Sequence, residues 1–496
     1  MNSFFLKFHR MNPSLSLPSA AVLTALAAAA LLAGCSLTPN YRRPDAPVAT
    51  QWPELPASPN SAGLTVPTVP AADLAWQDFV SDANLRELIR LALTNNRDLR
   101  VAALNIEQTR AQYQIRRADQ FPTVNVAVTG LRQPDPLGSG AIVSTYTAGL
   151  AIPAWELDFF GRLGSLKEAA LAQFLATEEA RKAVQISLIA SVASTWLSLQ
   201  TNEELLVLTQ NTLNSREDSL RLVKLRFDNG VSSALDLRLA ESLTAGARAT
   251  VAQQQRLRAL DVNALTLLVG QPVPQNLLAP VALPTAVVSA GQATLFKDVP
   301  VDLPSDLLTR RPDIRQAEQQ LISANANIGA ARAAFFPRIS LTASAGSASN
   351  DLNNLFKDGT WGFTLAPQAL LPIFDAGRNR AGLQSANAGR DIAVAQYEKA
   401  IQTAFREVAD ALAGRTTLSE QLLAQQTQTD AETNRLELTR LRYRNGITSS
   451  LDLLDAQRSL FVVQLALAQT RLAQLQNQVA LYKALGGGWT EPPAKP

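Results

Sequence analysis

Along most of the chain apolar residues recur at a helical period, and at one matching place in each of two similar halves that period gives way to strict alternation. Helical spacing starts near Asp82 in LRELIRLALTNN and continues after Asp98 through LRVAALNIEQTRAQYQIRRADQ, until Phe121-Pro122 stops it. A second start at Asp313-Ile314-Arg315 ends in the same way at Phe336-Pro337. After the first stop, Val124, Val126 and Val128 alternate with Thr123, Asn125, Ala127 and Thr129. After the second, Ile339, Leu341 and Ala343 alternate with Arg338, Ser340, Thr342 and Ser344, so each predicts a strand with two unlike faces. Beyond a loop in each copy, residues 142–150 and 361–367 predict a second strand, the latter with Trp361, Phe363 and Leu365 on one face. WELDFFGR (155–162) and PIFDAGR (372–378) then close the strand region, with Gly161 matching Gly377 and Arg162 matching Arg378.

The helical segments beyond the strands exceed any globular core in length. Ser165 to Asp228 contains 64 residues without Gly or Pro, which predicts one continuous helix of roughly 95 Å. Its counterpart runs from Arg378 to Arg444. Each ends in a shared stretch, RFDNGVSSALDLRLAES from Arg226 and RYRNGITSSLDLLDAQR from Arg442. Asn229-Gly230 and Asn445-Gly446 tolerate positive φ, so both read as tight hairpin-tip turns between antiparallel helices. Return helices run to about Val269 and Leu485. The chain is thus mainly helical with membrane-type strands, one design used twice. The expected organisation is a signal (1–34), an extended tether (35–81), repeat one (82–270), a Pro- and Val-rich linker (271–312), repeat two (313–485) and a tail (486–496).

Strands of about 9–11 residues with an apolar outer and a polar inner face suit an outer-membrane barrel. A soluble hairpin with one buried face shows the same alternation. Two strands per copy make four, whereas spanning barrels need at least about eight. Any barrel is therefore shared: two chains would give eight strands filled by side chains, and three would give twelve with room for a channel.

Charge and chemistry narrow the function. The formal charge is +3, no basic cluster stands out, and a nucleic-acid partner is disfavoured. Lys7, His9 and Arg10 precede an apolar run, Ala20 to Leu32, too short to span a membrane comfortably, so it reads as an export signal. The run ends in Leu32-Ala33-Gly34-Cys35, which resembles the lipobox of bacterial lipoproteins. That resemblance implies cleavage before Cys35, a diacylglycerol and an N-acyl chain on it, and a Gram-negative envelope; Ser36 in place of Asp favours the outer membrane. Pro39, Pro44, Pro47, Pro53, Pro56, Pro59, Pro67 and Pro70 then forbid helix and suit an extended tether. His9, the only histidine, lies in the signal and Cys35 is the only cysteine, so a triad, a zinc site or an imidazole base has no residues to use. No enzyme, cofactor or metal site is expected. A carboxylate pair such as Asp452 and Asp455 is the remaining hydrolytic candidate.

The two tips differ in one stripe. Leu451, Asp455 and Arg458 stand at i, i+4 and i+7, on one helical face, where the first copy has Leu235, Leu239 and Ser242. One reading is a solvated face with an i,i+3 ion pair worth a few tenths of a kcal/mol; the other is a face that meets something responsive to charge.

The lipobox, FFPRISLTASAG, PIFDAGR, VAQYEKAIQTAFREVADAL, LLDAQRSLF and LYKALGGGW together resemble the OprM branch of the TolC family of outer-membrane efflux ducts, over nearly all of the mature chain. The resemblance implies a homotrimer with a twelve-stranded barrel continued by a barrel of twelve long helices across the periplasm. It implies a periplasmic adaptor (membrane fusion) protein and an inner-membrane transporter of the resistance-nodulation-division type, which supplies the energy. Leu451, Asp455 and Arg458 match the positions that narrow the periplasmic end. Three Asp455 side chains about 8 Å apart at an effective dielectric near 20 would repel by about 2 kcal/mol per pair, so they coexist only if Arg458 or a cation offsets them. Arg442 and Tyr443 match residues that latch neighbouring helices, although Asn211 is an amide where the branch has an acid. Small amphipathic antibiotics, solvents and toxicants are the cargo implied. The alternatives are metal-ion export or protein secretion through the same type of duct, or a lipid-anchored coiled-coil spacer.

Overall fold

A computed structural model describes residues 36–53, 71–134, 140–281, 283, 295–300 and 304–489. Cys35, the export signal and residues 490–496 lie outside the described residues. The chain order is α1 (Trp76–Phe79), α2 (Ala83–Asn95), α3 (Arg97–Ala118), β1 (Asn125–Pro134), β2 (Ile142–Leu157), α4 (Arg162–Asp228) and α5 (Ala234–Val269). After the linker come α6 (Pro304–Arg310), α7 (Pro312–Ala333), β3 (Arg338–Ser349), β4 (Trp361–Leu370), α8 (Arg378–Arg444) and α9 (Ser450–Ala484). Helices α4 and α8 each have 67 residues, about 100 Å of rise. The fold class read from the sequence, mainly helical with one strand pair per repeat, is the one observed.

Among the described residues, one compact unit contains 36–42, 111–171 and 322–391. Its four strands form one antiparallel sheet in the order β1-β2-β3-β4. Cross-strand pairing aligns Val126, Leu150, Ala345 and Phe363 in one row and Val128, Ala148, Ser347 and Trp361 in the next. Val126 is 80% exposed and Phe363 75%, so this face presents large apolar groups. The alternate rows carry Ala127, Gly149, Gly346 and Gly362, then Thr129 and Thr147, whose hydroxyls bond at 2.6 Å. The two unlike faces expected from the alternation are both present.

β2 is longer than its first stretch suggests. Trp155 to Leu157, expected beyond the strand, belong to it, because a bulge between Ile152 and Trp155 lets Pro153 pass without breaking the ladder. The bulge places Glu156 opposite Ser340, where both Arg162 (2.7 Å) and Arg338 (2.6 Å) meet it. β4 likewise runs on through Pro367 to Leu370, which an edge strand tolerates. Residues 37–39 lie on α7 in the same unit. Arg332 donates to the Leu37 carbonyl at 3.2 Å, Asn325 to the Pro39 carbonyl at 2.7 Å, and the Thr38 and Ser165 hydroxyls meet at 3.0 Å.

The second unit holds the described residues within 43–110, 172–321 and 392–489. In it α2 starts at the Asp82 side chain, which accepts from Leu85 N–H at 2.8 Å, and buries Leu85, Leu88, Ile89 and Ala92 as one stripe. Asn96, just ahead of the expected restart at Asp98, caps α3 by accepting from Leu99 N–H. The buried residues of α8, Tyr397, Ile401, Ala404, Val408 and Ala411, alternate steps of four and three. Those of α5, from Leu237 to Gln254, do the same, the 3.5-residue repeat of helices that coil around one another.

Among the described residues, the end of the tether and parts of the linker pack within the second unit. Phe79 stacks between Phe296 and Tyr482, with ring centroids 5.1 and 3.9 Å away, and Val80 bridges to Phe296 in antiparallel fashion. α6 lies inside the expected linker, and Arg311 behind it is buried, donating to Asp313, Glu407 and the Ala484 carbonyl. Pro304 and Pro312 stand at first helical positions, where proline initiates a helix.

Candidate hairpin-tip gate

Both tips are built by the same local chemistry. Gly230 and Gly446 have φ of 70° and 71°, the left-handed conformation that glycine adopts without a Cβ penalty. Gly230 N–H donates to the Phe227 carbonyl and Val231 N–H to that of Arg226; Gly446 and Ile447 repeat this on Tyr443 and Arg442. This pair of bonds closes a helix C-terminus. The asparagines do something other than share the positive φ. Asn229 and Asn445 donate their amides to the carbonyls of Leu225 and Leu441, at 2.7 and 2.9 Å.

Each return helix then opens on a reciprocal cap. Ser233 accepts from Asp236 N–H while the Asp236 carboxylate accepts from Ser233 N–H, and Ser449 and Asp452 form the same box. The Ser233 hydroxyl is the main cause of an Asp236 carboxyl held below the usual range. Ser450 also donates to Asp236 at 3.3 Å, joining the two tips. The repeated Asp236 and Asp452 are therefore helix caps, and Asp452 leaves the list of hydrolytic candidates.

The stripe differs. Leu451 is 52% exposed. Asp455 accepts from Arg458 at 2.5 Å, the i,i+3 pair expected, and also from Arg435 on α8 at 2.7 Å. The hydrogen bond from Arg435, with both guanidinium charges, holds the Asp455 carboxyl below the ordinary carboxylate range. Tyr443 accepts at its hydroxyl from Arg226 at 2.8 Å, whose position in the other copy is that of Arg442. Among the described residues the Arg442 and Asn211 side chains meet no partner within the chain, so the structure brings Tyr443 but not Arg442 into a contact. No group of three or more His, Cys, Asp or Glu that could hold a metal occurs among the described residues.

Arg435 and Arg226 escaped the sequence reading. Arg226 was visible as the repeat mate of Arg442, but Arg435 stands well before Asp455 in the chain, on the outgoing helix. Its signal was the loss of repeat symmetry there, since its mate in the first copy is Ser219.

A family model described as "Outer membrane efflux protein" matches residues 88–271 and 303–487. The chain belongs to the outer membrane efflux protein family. The two matched segments cover both repeats, and this efflux protein is an outer-membrane protein without enzymatic activity. The toluene efflux pump outer membrane protein TtgC of Pseudomonas putida is 49% identical over 476 residues, 95% of this chain and 96% of that one. The antibiotic efflux pump outer membrane protein ArpC of the same species matches to the same extent. The open-state outer membrane channel MtrE of Neisseria gonorrhoeae superposes with a TM-score of 0.80 at 39% identity, covering 92% of this chain and 99% of that one. The long helices and four-stranded sheet of this efflux protein are thus the fold of an outer-membrane channel.

Proposed function

We propose that this protein is the passive exit duct of a tripartite efflux pump, assembled from three copies and carrying small amphipathic antibiotics, solvents and toxicants from the periplasm to the exterior. The observation that carries the reading is the sheet: β1 and β4 are its two edges, and its apolar face is exposed. An open edge cannot remain unpaired in lipid, because each orphan backbone group costs several kcal/mol. Pairing β4 of one copy with β1 of the next satisfies both edges, and three copies give the smallest ring that leaves a channel rather than a packed interior. The names of TtgC and ArpC, for toluene and antibiotics, support the cargo class.

Within this reading Leu451, Asp455 and Arg458 form the periplasmic constriction, Tyr443 with Arg442 and Arg226 its latch, and the turns at Asn229-Gly230 and Asn445-Gly446 its tip. Cys35 carries the lipid, which holds the mature N-terminus at the outer membrane. A periplasmic adaptor meets the helical end, and an inner-membrane transporter of the resistance-nodulation-division type supplies the energy. The test is deletion of the gene, with susceptibility measured against antibiotics, solvents and metal ions. Sensitisation to toluene and to amphipathic antibiotics is expected, with restoration by the wild-type gene. Sensitisation to metal ions alone would replace the cargo, and a monomeric mass for the detergent-purified protein would overturn the duct.

A further inference from the structure

Asp455 is not a bare carboxylate. One oxygen accepts from Arg458 on its own helix and the other from Arg435 across the hairpin, and Arg435 also donates to Glu432 at 3.1 Å. The four groups carry two charges of each sign, so the cluster is neutral while remaining partly exposed: Asp455 at 37% and Arg435 at 44%. At the equivalent positions of the first copy, Glu432, Arg435, Asp455 and Arg458 are replaced by Arg216, Ser219, Leu239 and Ser242. None of the pairs is repeated there. At that level the first hairpin packs Val223, Leu237 and Ala240 against Leu220, and its charged contact across the helices is Arg248 with Glu217.

From this geometry we infer that Arg435 is a selectivity-determining residue of the constriction, which positions and neutralises Asp455. The narrow end of the duct is then lined by a zwitterionic cluster and not by a ring of acids. The inference rests on the reading of Leu451, Asp455 and Arg458 as a constriction, and it removes the difficulty of three like charges around one axis. It also changes what substitution does. Removing Asp455 leaves Arg435 and Arg458 against Glu432 alone, so each copy gains a net positive charge. Removing Arg435 uncovers a net negative one.

Purified full-length protein in planar bilayers under a potassium chloride gradient tests this through its reversal potential. Three charges about 8 Å from a passing ion, screened by about 0.1 M salt, change its local concentration roughly threefold. Arg435→Gln is therefore expected to shift the cation-to-anion permeability ratio about threefold toward cations, and Asp455→Asn by a similar factor toward anions. The double variant returns near the wild-type ratio, and Arg435→Lys keeps it, which a merely structural role for the arginine would not predict. An unchanged ratio in Arg435→Gln, with Asp455→Asn still shifting toward anions, overturns the inference while sparing the constriction. No change in ratio or conductance in Asp455→Asn or Leu451→Ala removes the constriction, and the inference with it.

Discussion

Replacing Gly329 by alanine strengthens its helix and crowds the segment docked on it, and the two effects are read by different measurements. Gly329 lies in α7, beneath Thr38, and a Cβ there would stand 2.2 Å from the Thr38 hydroxyl oxygen, 2.6 Å from that of Ser165 and 2.9 Å from Thr38 Cα. The threonine must therefore retreat by more than 1 Å to reach an ordinary contact of 3.4 Å. Residues 37–39 are short and share three hydrogen bonds to α7 and Ser165, so a shift of that size breaks them together. At about 1 kcal/mol each they contribute roughly 3 kcal/mol to docking, whereas the roughly 1 kcal/mol that alanine gains over glycine in a helix interior is common to the docked and undocked states and acts on global stability alone. The loss of about 3 kcal/mol raises the undocked fraction by about a hundredfold. Tryptic cleavage after Arg42 reads that fraction, since cleavage follows the open population when reclosing is fast. The expected result is a rate at least tenfold above wild type, with Thr38→Ala, which removes one bond, about fivefold above it. An unchanged or slower rate in Gly329→Ala, with a higher melting temperature, would show that only the helix propensity mattered and that the segment is not held on α7.

The sheet makes a sharper prediction. A Cβ on Gly149 would come within 2.3 Å of the Ala345 carbonyl oxygen and 2.6 Å of Gly346 Cα, whereas one on Gly362 meets nothing within 4 Å. Gly149→Ala should therefore reduce the protein recovered in the outer-membrane fraction at least tenfold, and Gly362→Ala should leave it unchanged, as read by immunoblot. The clamp at Asp455 gives a pH dependence. Its carboxyl titrates below the unfolded value, so its contribution is complete above that value, near 3.9, and is lost as pH falls through the lower folded one. Bilayer conductance should accordingly stay flat between about pH 5 and 8, as that sign requires, and change only below about pH 4; a step near neutrality would exclude Asp455 as its cause.

The legible parts of this fold are those encoded in local patterns. Strand faces follow from the alternation around Val126 and Phe363, and the tip turns from Asn-Gly, because the information lies within a few residues. Even there the division of labour was hidden: glycine supplies the backbone conformation, while asparagine spends its side chain on a carbonyl. Tertiary features were not legible in the same way. Pro153 reads as a strand stop unless the bulge that accommodates it is known, and the pairing of Val80 with Phe296 joins the end of the tether to the linker across the whole first repeat. Arg435 belongs to the same class, since a basic residue on an exposed helix face has many solvated explanations until its distance to Asp455 is known.

The duplication explains why the clamp occurs where it does. Both copies keep the glycine turn and the serine-aspartate cap, which fix the geometry of a tip whatever lies behind it. Behind them the apolar seam is partly shared, with Leu237 and Ala240 recurring as Leu453 and Ala456, while the positions of Leu239, Ser219 and Ser242 become Asp455, Arg435 and Arg458. An apolar seam is indifferent to salt and to carboxylate titration, whereas exposed ion pairs weaken as ions screen them. Both hairpins carry such a pair between their helices, Arg248 with Glu217 in the first and Arg435 with Asp455 in the second. The two differ in that Asp455 holds two arginines, Arg435 and Arg458, where Glu217 holds one.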